Sequence, residues 1–242
     1  MGYDTLVNGD YLDRSLRLIS SAIQDKSRLH GSIAFDDFAA RISALPDDAL
    51  SNLLHGTLTE YVNATPTAIP ADLFKGQDKL QKINMDSVKS VGSNAFRECS
   101  ALVEVNLPAL ETLGSAAFIY CTSLAEVKFP AALNSGVTAN ALRYCSALKK
   151  VDFGAIDAAK GLIGYCLADD PALEALIIRN TDQPPKLTAT AFNNTPIKTG
   201  TGYIYVPAAM VDAYKSATNW SAYADQIRAI EDYPEITGGD GT

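Results

Sequence analysis

The chain has 242 residues, 47% of them hydrophobic and 20% charged, with a formal net charge of −8. The acidic balance argues against nucleic acid and anionic membrane as primary partners. No apolar run approaches the roughly 18 residues of a membrane-spanning helix, so no membrane insertion is expected. The length suits one elongated domain with a small N-terminal addition. The opening string MGYDTLVNGDYLDRS has no basic region followed by an apolar core, so no signal peptide is expected there.

Residues 1–56 read as helical. Leu12, Leu16, Ile19 and Ile23 recur at helical spacing, with Arg14 and Arg17 off that stripe. Phe35, Phe38, Ile42 and Leu45 form a second stripe that ends before Pro46, and Asp47 suits the cap of a third, stopped by Gly56. Two readings stand for this segment: a cap over the first coil of a repeat array, or a docking element through which the chain forms a homo-oligomer.

From about residue 57 a single unit recurs. Its anchors are Phe74, Phe96, Phe118, Leu142, Leu167 and Phe192, separated by 22, 22, 24, 25 and 25 residues. A period of about 20 to 29 residues means stacked coils rather than a compact globule. Six residues after each anchor come Leu80, Leu102, Leu124, Leu148 and Leu173. Then come Ile83, Val105, Val127, Val151 and Leu176, and two residues on, Met85, Leu107, Phe129, Phe153 and Ile178. That last step has period two, so each unit should hold one short strand with two inward side chains. A second apolar row, Ile69, Val91, Leu113, Val137, Leu162 and Leu187, closes the far side of each coil. Four residues after its members come Leu73, Ala95, Ala117, Ala141, Cys166 and Ala191, and the small residues there let the backbone turn closely under the next coil. Lys198 stands where the last unit should have Leu, and the strand Tyr203-Ile204-Tyr205-Val206 should close the array.

The outward strand positions form two rows: Lys82, Glu104, Glu126, Lys150, Ala175, and Asn84, Asn106, Lys128, Asp152, Ile177. Lys82–Glu104 and Glu126–Lys150 are lateral neighbours of opposite charge and should pair across strands. This face either supports the stack or is a mixed-charge binding face. Its candidate residues are Lys82, Asn84, Glu104, Asn106, Glu126, Lys128, Lys150 and Asp152. Tyr120 and Tyr144 share a repeat position, with Tyr165 close by, and either present phenol edges at a turn or pack.

Cys99, Cys121 and Cys145 share one repeat position, Asp170 takes that slot in the next coil, and Cys166 belongs to another row. Separations above 20 residues do not suit zinc, and a column of buried, reduced thiols is expected. His30 and His55 are the only histidines, and neither lies in a metalloprotease or hydrolase motif. The pairs Asp36-Asp37, Asp47-Asp48 and Asp169-Asp170 suit exposed turns and helix starts, and no calcium-loop spacing is present. No catalytic constellation converges, so no enzymatic activity, cofactor or metal is expected.

After the array, Pro207 suits the first turn of a helix carrying Met210, Val211 and Tyr214, with Trp220, Tyr223, Ile227 and Ile230 extending its apolar surface. Trp220 is read as shielding the last coil. Residues 231–242 read as a flexible acidic tail.

The strings NAFRECSALVEVNLPALETLGSAAF and IYCTSLAEVKFP resemble BspA-like leucine-rich repeats, and IYVPAAMVDAYKSATNWSAYADQIRAI resembles the C-terminal cap common in that family. The resemblance covers roughly residues 58–230. It implies non-catalytic interaction modules of bacterial surfaces and phage-derived proteins. The string YLDRSLRLISSAIQDKSRLHGSIAFDDFAARISAL resembles a leader of prophage or tail-associated proteins. The expected architecture is an α/β repeat: a leucine-rich-repeat solenoid of parallel short strands over residues 57–206. An N-terminal helical segment precedes it and a C-terminal strand–helix cap, helical over 207–230, completes it. The expected function is binding of a protein or cell-surface glycan in a prophage or tail-associated setting, the alternative being a bacterial cell-surface adhesin. Either setting implies an extracellular, cell-surface or virion location.

Overall fold

The computed structural model describes residues 58–62 and 67–238. The chain divides into two units, Met1–Leu58 and Thr59–Thr242, and apart from Leu58 the described residues belong to the second. The helices expected over residues 1–56, the leader string, His30, His55 and the acidic pairs before residue 50 lie outside the described residues.

Along the repeat run β1 (Glu60–Val62), β2 (Ala68–Ile69), β3 (Lys82–Asn84), β4 (Ser90–Val91), β5 (Glu104–Asn106), β6 (Thr112–Leu113), β7 (Glu126–Phe129), β8 (Lys150–Phe153) and β9 (Ala175–Ile178). Then come α1 (Pro196–Thr199), β10 (Tyr203–Val206), α2 (Val211–Ser216), β11 (Ile227–Ala229) and α3 (Pro234–Thr237). Eight strands form one parallel sheet in the order β1-β3-β5-β7-β8-β9-β10-β11. Equivalent repeat positions sit side by side: Tyr61 beside Ile83, Ile83 beside Val105, Val127 beside Val151, and Val151 beside Leu176. Each coil therefore advances the chain by one strand, and the result is a leucine-rich-repeat solenoid.

The six anchors are fully buried and form the spine of the core. Phe74, Phe96 and Phe118 stack face to face, with ring centroids 5.1 and 4.9 Å apart and planes within 2° and 9°. These separations lie close to the inter-strand spacing of about 4.7–4.9 Å, so ring stacking and strand pairing reinforce one register. The amides of the first five anchors donate to the carbonyl of the small residue one coil ahead: Phe74 to Ala95, Phe96 to Ala117, Phe118 to Ala141, Leu142 to Cys166 and Leu167 to Ala191. The small residues thus serve the close approach expected of them.

The second apolar row is more ordered than a closing row. Over its first three coils it forms a separate parallel sheet, β2-β4-β6. It continues as single bridges from Val137 to Leu162 and from Leu162 to Leu187. Gly92 and Gly114 follow β4 and β6 where consecutive coils nearly touch; a Cβ on Gly92 would collide with the Ala71 backbone, and one on Gly114 with the Ser93 backbone.

The last coil departs from the pattern. The loss of Leu at Lys198 is compensated one residue earlier, where Ile197 on α1 is fully buried. Thr195 caps that helix by accepting from the Lys198 amide at 3.2 Å. β10 does not end the sheet: Ile204 pairs with Ile227 of β11, a strand within the segment expected to be helical. Trp220 is buried, donates from Nε1 to the Pro185 carbonyl at 2.6 Å, and packs on Phe192 and Tyr214. It shields the last anchor, as expected.

Residues 231–238, expected to be flexible, form a 3-10 turn over Ile230–Asp232 and then α3. Tyr233 and Ile236 pack with Ile230 against Ala175, Ile177 and Tyr205. Ala175 and Ile177 occupy outward-facing strand positions, so this segment is a strap across the outer face of the sheet at its C-terminal end.

Candidate binding surface

The strand register places the expected charge pairs side by side. Lys82 Nζ lies 3.4 Å from Glu104 Oε2, and Lys150 Nζ lies 2.9 Å from Glu126 Oε2. In the second row Asn106 donates to Asn84 Oδ1 at 2.7 Å, and Lys128 approaches Asp152 at 3.8 Å. Exposed pairs of this kind contribute about 0.2–1 kcal/mol each. Lys82, Glu104, Asn106, Glu126 and Lys128 are exposed, and Asn84 and Lys150 are half-buried.

Asp152 is not part of that open surface. It is only 3% exposed and is held by Arg179, whose Nε and Nη2 each donate to a carboxylate oxygen at 3.1 Å. Arg179 Nη2 also donates to the Thr237 carbonyl at 3.0 Å, which ties α3 to the sheet. The face sought from sequence is therefore open over β3, β5 and β7, and closed by the strap over β9 and β10.

A second surface lies at the turn after each anchor. Gly76, Glu98, Tyr120, Tyr144, Asp169 and Asn194 occupy one repeat position, and all have left-handed backbone, with φ between 56° and 70°. For a bulky residue this conformation costs roughly 1–2 kcal/mol, so two consecutive tyrosines there are unexpected on local grounds. Their rings are parallel to within 5°, with centroids 4.7 Å apart. The Arg143 guanidinium lies 4.5 Å from the ring centroids of both Tyr144 and Tyr165. Arg143 Nε donates to Asp169 Oδ2 at 2.7 Å, and Asn194 donates to Asp169 Oδ1 at 2.6 Å. The Asn194 amide, and then Arg143, hold the Asp169 carboxyl below its ordinary range. Of the two readings given to the tyrosines, packing holds for Tyr144, whereas Tyr120 and Tyr165 remain 38% and 40% exposed.

The cysteine column is interior. Cys99, Cys121 and Cys145 donate from Sγ to the carbonyls of Phe74, Phe96 and Phe118 at 3.0, 3.2 and 3.2 Å. Burial pushes the Cys99 and Cys166 thiols up to about 12, and raises those of Cys121 and Cys145 well above the ordinary value. Asp170, expected at an exposed turn, is fully buried. A groove of about 400 Å³ beside Asn134, Asp157 and Asn180 has little to offer a ligand. Its buried Asn180 side chain already bonds the amide and carbonyl of Ile156. Among the described residues no cluster of three or more His, Cys, Asp or Glu side chains is placed to hold a metal.

The model of the BspA type leucine-rich repeat region matches residues 67–198 in six copies. No curated protein matches the chain. Among solved structures, a leucine-rich repeat protein of T. pallidum is 21% identical over 50% of this chain and 59% of its own, with a TM-score of 0.41. The pneumococcal vaccine antigen PcpA is 19% identical over 72% of this chain and 40% of its own, with a TM-score of 0.51. A leucine-rich repeat protein of Bacteroides ovatus is 17% identical over 66% of this chain and 53% of its own, with a TM-score of 0.33. The chain spans less than two thirds of the length of each of these structures. A match across 132 residues, in six consecutive copies that coincide with the stacked coils, places the chain in the BspA type leucine-rich repeat family.

Proposed function

We propose that the chain is a non-enzymatic recognition module that binds a partner protein or surface glycan through the open part of its outer sheet face. Lys82, Asn84, Glu104, Asn106, Glu126, Lys128 and Lys150 carry that contact, and Asp152 supports it from beneath by anchoring the strap. The observation that carries the reading is a contrast along one face. It is polar and open over β3, β5 and β7, but apolar and covered by the chain's own residues over β9 and β10. Solenoids recognise partners over extended surfaces of this kind. The setting is a bacterial surface or a phage particle, and the resemblance of the leader string supports the second.

The test is binding of the labelled full chain to intact bacterial cells and to immobilised surface proteins and glycans. Wild type is compared with Lys82→Glu/Lys128→Glu, which removes the two exposed lysines of the open rows. Loss of binding is expected from a chain that still unfolds cooperatively, with a melting temperature lowered only by the small contribution of the lost Lys82–Glu104 and Lys128–Asp152 pairs. Undiminished binding by the charge-inverted chain would remove this face from consideration.

A further inference from the structure

We propose that the turn edge bearing Tyr120, Tyr144, Arg143 and Tyr165 is a separate site for a neutral carbohydrate, with pyranose rings stacking on the outer faces of Tyr120 and Tyr165. This edge is a different surface from the sheet face, and binding at one does not depend on binding at the other.

The edge is preorganised. Tyr120 stacks on Tyr144, Arg143 lies over both Tyr144 and Tyr165, and Asp169 fixes Arg143 while Asn194 fixes Asp169. Asn140 adds a further acceptor to Arg143 Nη1 at 3.3 Å. Among the described residues Tyr120 engages one ring, Tyr144, and Tyr165 one cation, Arg143, and 38% and 40% of the two side chains stay exposed. Rings held this firmly lose little freedom when a ligand binds, which matters most for shallow, weakly polar contacts.

The surroundings select the ligand class. A pyranose presents a face of C–H groups that fits an electron-rich ring, and a rim of hydroxyls that needs planar polar partners. One coil before Tyr120 stand Arg97 and Glu98, joined Nε to Oε1 at 3.0 Å, and beyond Tyr144 stand Asp169 and Asn194. A protein interface would call for a contiguous apolar centre. Between Tyr120 and Tyr165, two of the five exposed large apolar side chains of the described residues, stands instead the Arg143 guanidinium. Nucleic acid would need an electropositive channel beside the rings. Here the cation is already neutralised by Asp169, and the chain carries a net charge of −8. The same charge disfavours acidic sugars, which leaves a neutral glycan. Because Tyr120 and Tyr144 stack one coil apart, their outer faces look along the solenoid axis, and a glycan chain stacked on either would run across that axis.

The experiment titrates the full chain with neutral hexasaccharides of glucose, N-acetylglucosamine and mannose at millimolar concentration, read by calorimetry. Saturable binding of at least one sugar is expected. Tyr120→Ala and Tyr165→Ala should each weaken it about tenfold, the scale of one lost aromatic contact. Tyr120→Phe, which keeps the ring and the fold, should bind nearly as well as wild type, and Lys82→Glu/Lys128→Glu should be unaffected. Absence of saturable binding to all three sugars overturns the proposal, as does binding that is indifferent to the alanine substitutions. Binding of an arginine-rich peptide that needs the same tyrosines while the sugars fail overturns it in favour of a peptide site.

Discussion

Cys145 donates its backbone N–H to Asp170 Oδ1 across 2.7 Å, one coil apart. In the two preceding coils the equivalent amides, of Cys99 and Cys121, donate instead to the carbonyls of Phe96 and Phe118. The switch coincides with the point where the thiol column ends and a carboxyl takes its place. Asp170 Oδ2 is buried without a hydrogen-bond partner. Burial pushes the Asp170 carboxyl well above its ordinary value; the Cys145 amide opposes that shift, and neighbouring Asp169 adds to it.

The folded chain keeps the Asp170 proton to higher pH than the unfolded chain, whose carboxyl ionises near its usual pKa of about 3.9. The stability linked to this group is therefore complete below that value and falls as pH rises toward the folded pKa. Asp170→Asn keeps an acceptor for Cys145 and cannot ionise. It should raise stability at neutral pH by about 1–3 kcal/mol and flatten the decline above pH ~4. Melting curves recorded from acid to neutral pH check this; parallel curves for wild type and variant would show that Asp170 does not titrate with unfolding.

The thiols should be inert in the native state. All four are buried, and each is held far from its thiolate form by burial. Reactivity follows the thiolate and access to it. A neutral-pH alkylating reagent should label none of them until denaturant unfolds the chain, and mass spectrometry should find no native disulfide. Rapid labelling of Cys121 in native buffer would mean that the column opens.

Leu124→Ala tests the central coil. Leu124 is fully buried and its amide donates to Cys121 at 3.1 Å, so truncation leaves a cavity bounded by neighbouring coils that cannot collapse independently. The expected loss is about 2–5 kcal/mol, seen as a lower denaturation midpoint. An unchanged midpoint would place Leu124 outside the core.

The repeat was legible because period and burial report the same physics. A coil must bury its Leu, Val and Phe positions against its neighbours, so those positions recur in sequence at the coil length. Pairing of Lys82 with Glu104 and of Glu126 with Lys150 followed from the same register. What escaped does not repeat. The second sheet rests on pairs of residues, such as Ala68–Ile69, too short for alternation to appear. The strap contacts residues far away in sequence, and its two apolar anchors, Tyr233 and Ile236, are scattered among acidic and glycine residues. One signal was present: the outward rows turn from charged to apolar at Ala175 and Ile177, and an outward apolar position implies a cover. Asp152 belongs to that covered region through Arg179, a partner 27 residues on.

Removal of the strap's fastenings gives the last prediction. Arg179 is the group through which Asp152 and the Thr237 carbonyl are joined, so Arg179→Ala leaves a nearly buried carboxylate without its bidentate partner. Loss of one member of such a pair costs about 3–5 kcal/mol when burial is deep; partial exposure of Arg179 lowers the expectation to about 2–4 kcal/mol. Tyr233→Ala/Ile236→Ala removes the apolar cover and leaves Asp152 paired. It should cost less overall, about 1–3 kcal/mol, because both residues are only partly buried. The two variants separate further in hydrogen exchange. The double variant should speed exchange in residues 231–238 while β7 and β8 stay protected, whereas Arg179→Ala should also loosen β8 around Asp152. Equal protection of residues 231–238 in wild type and in the double variant would mean that these two side chains do not hold the strap to the sheet.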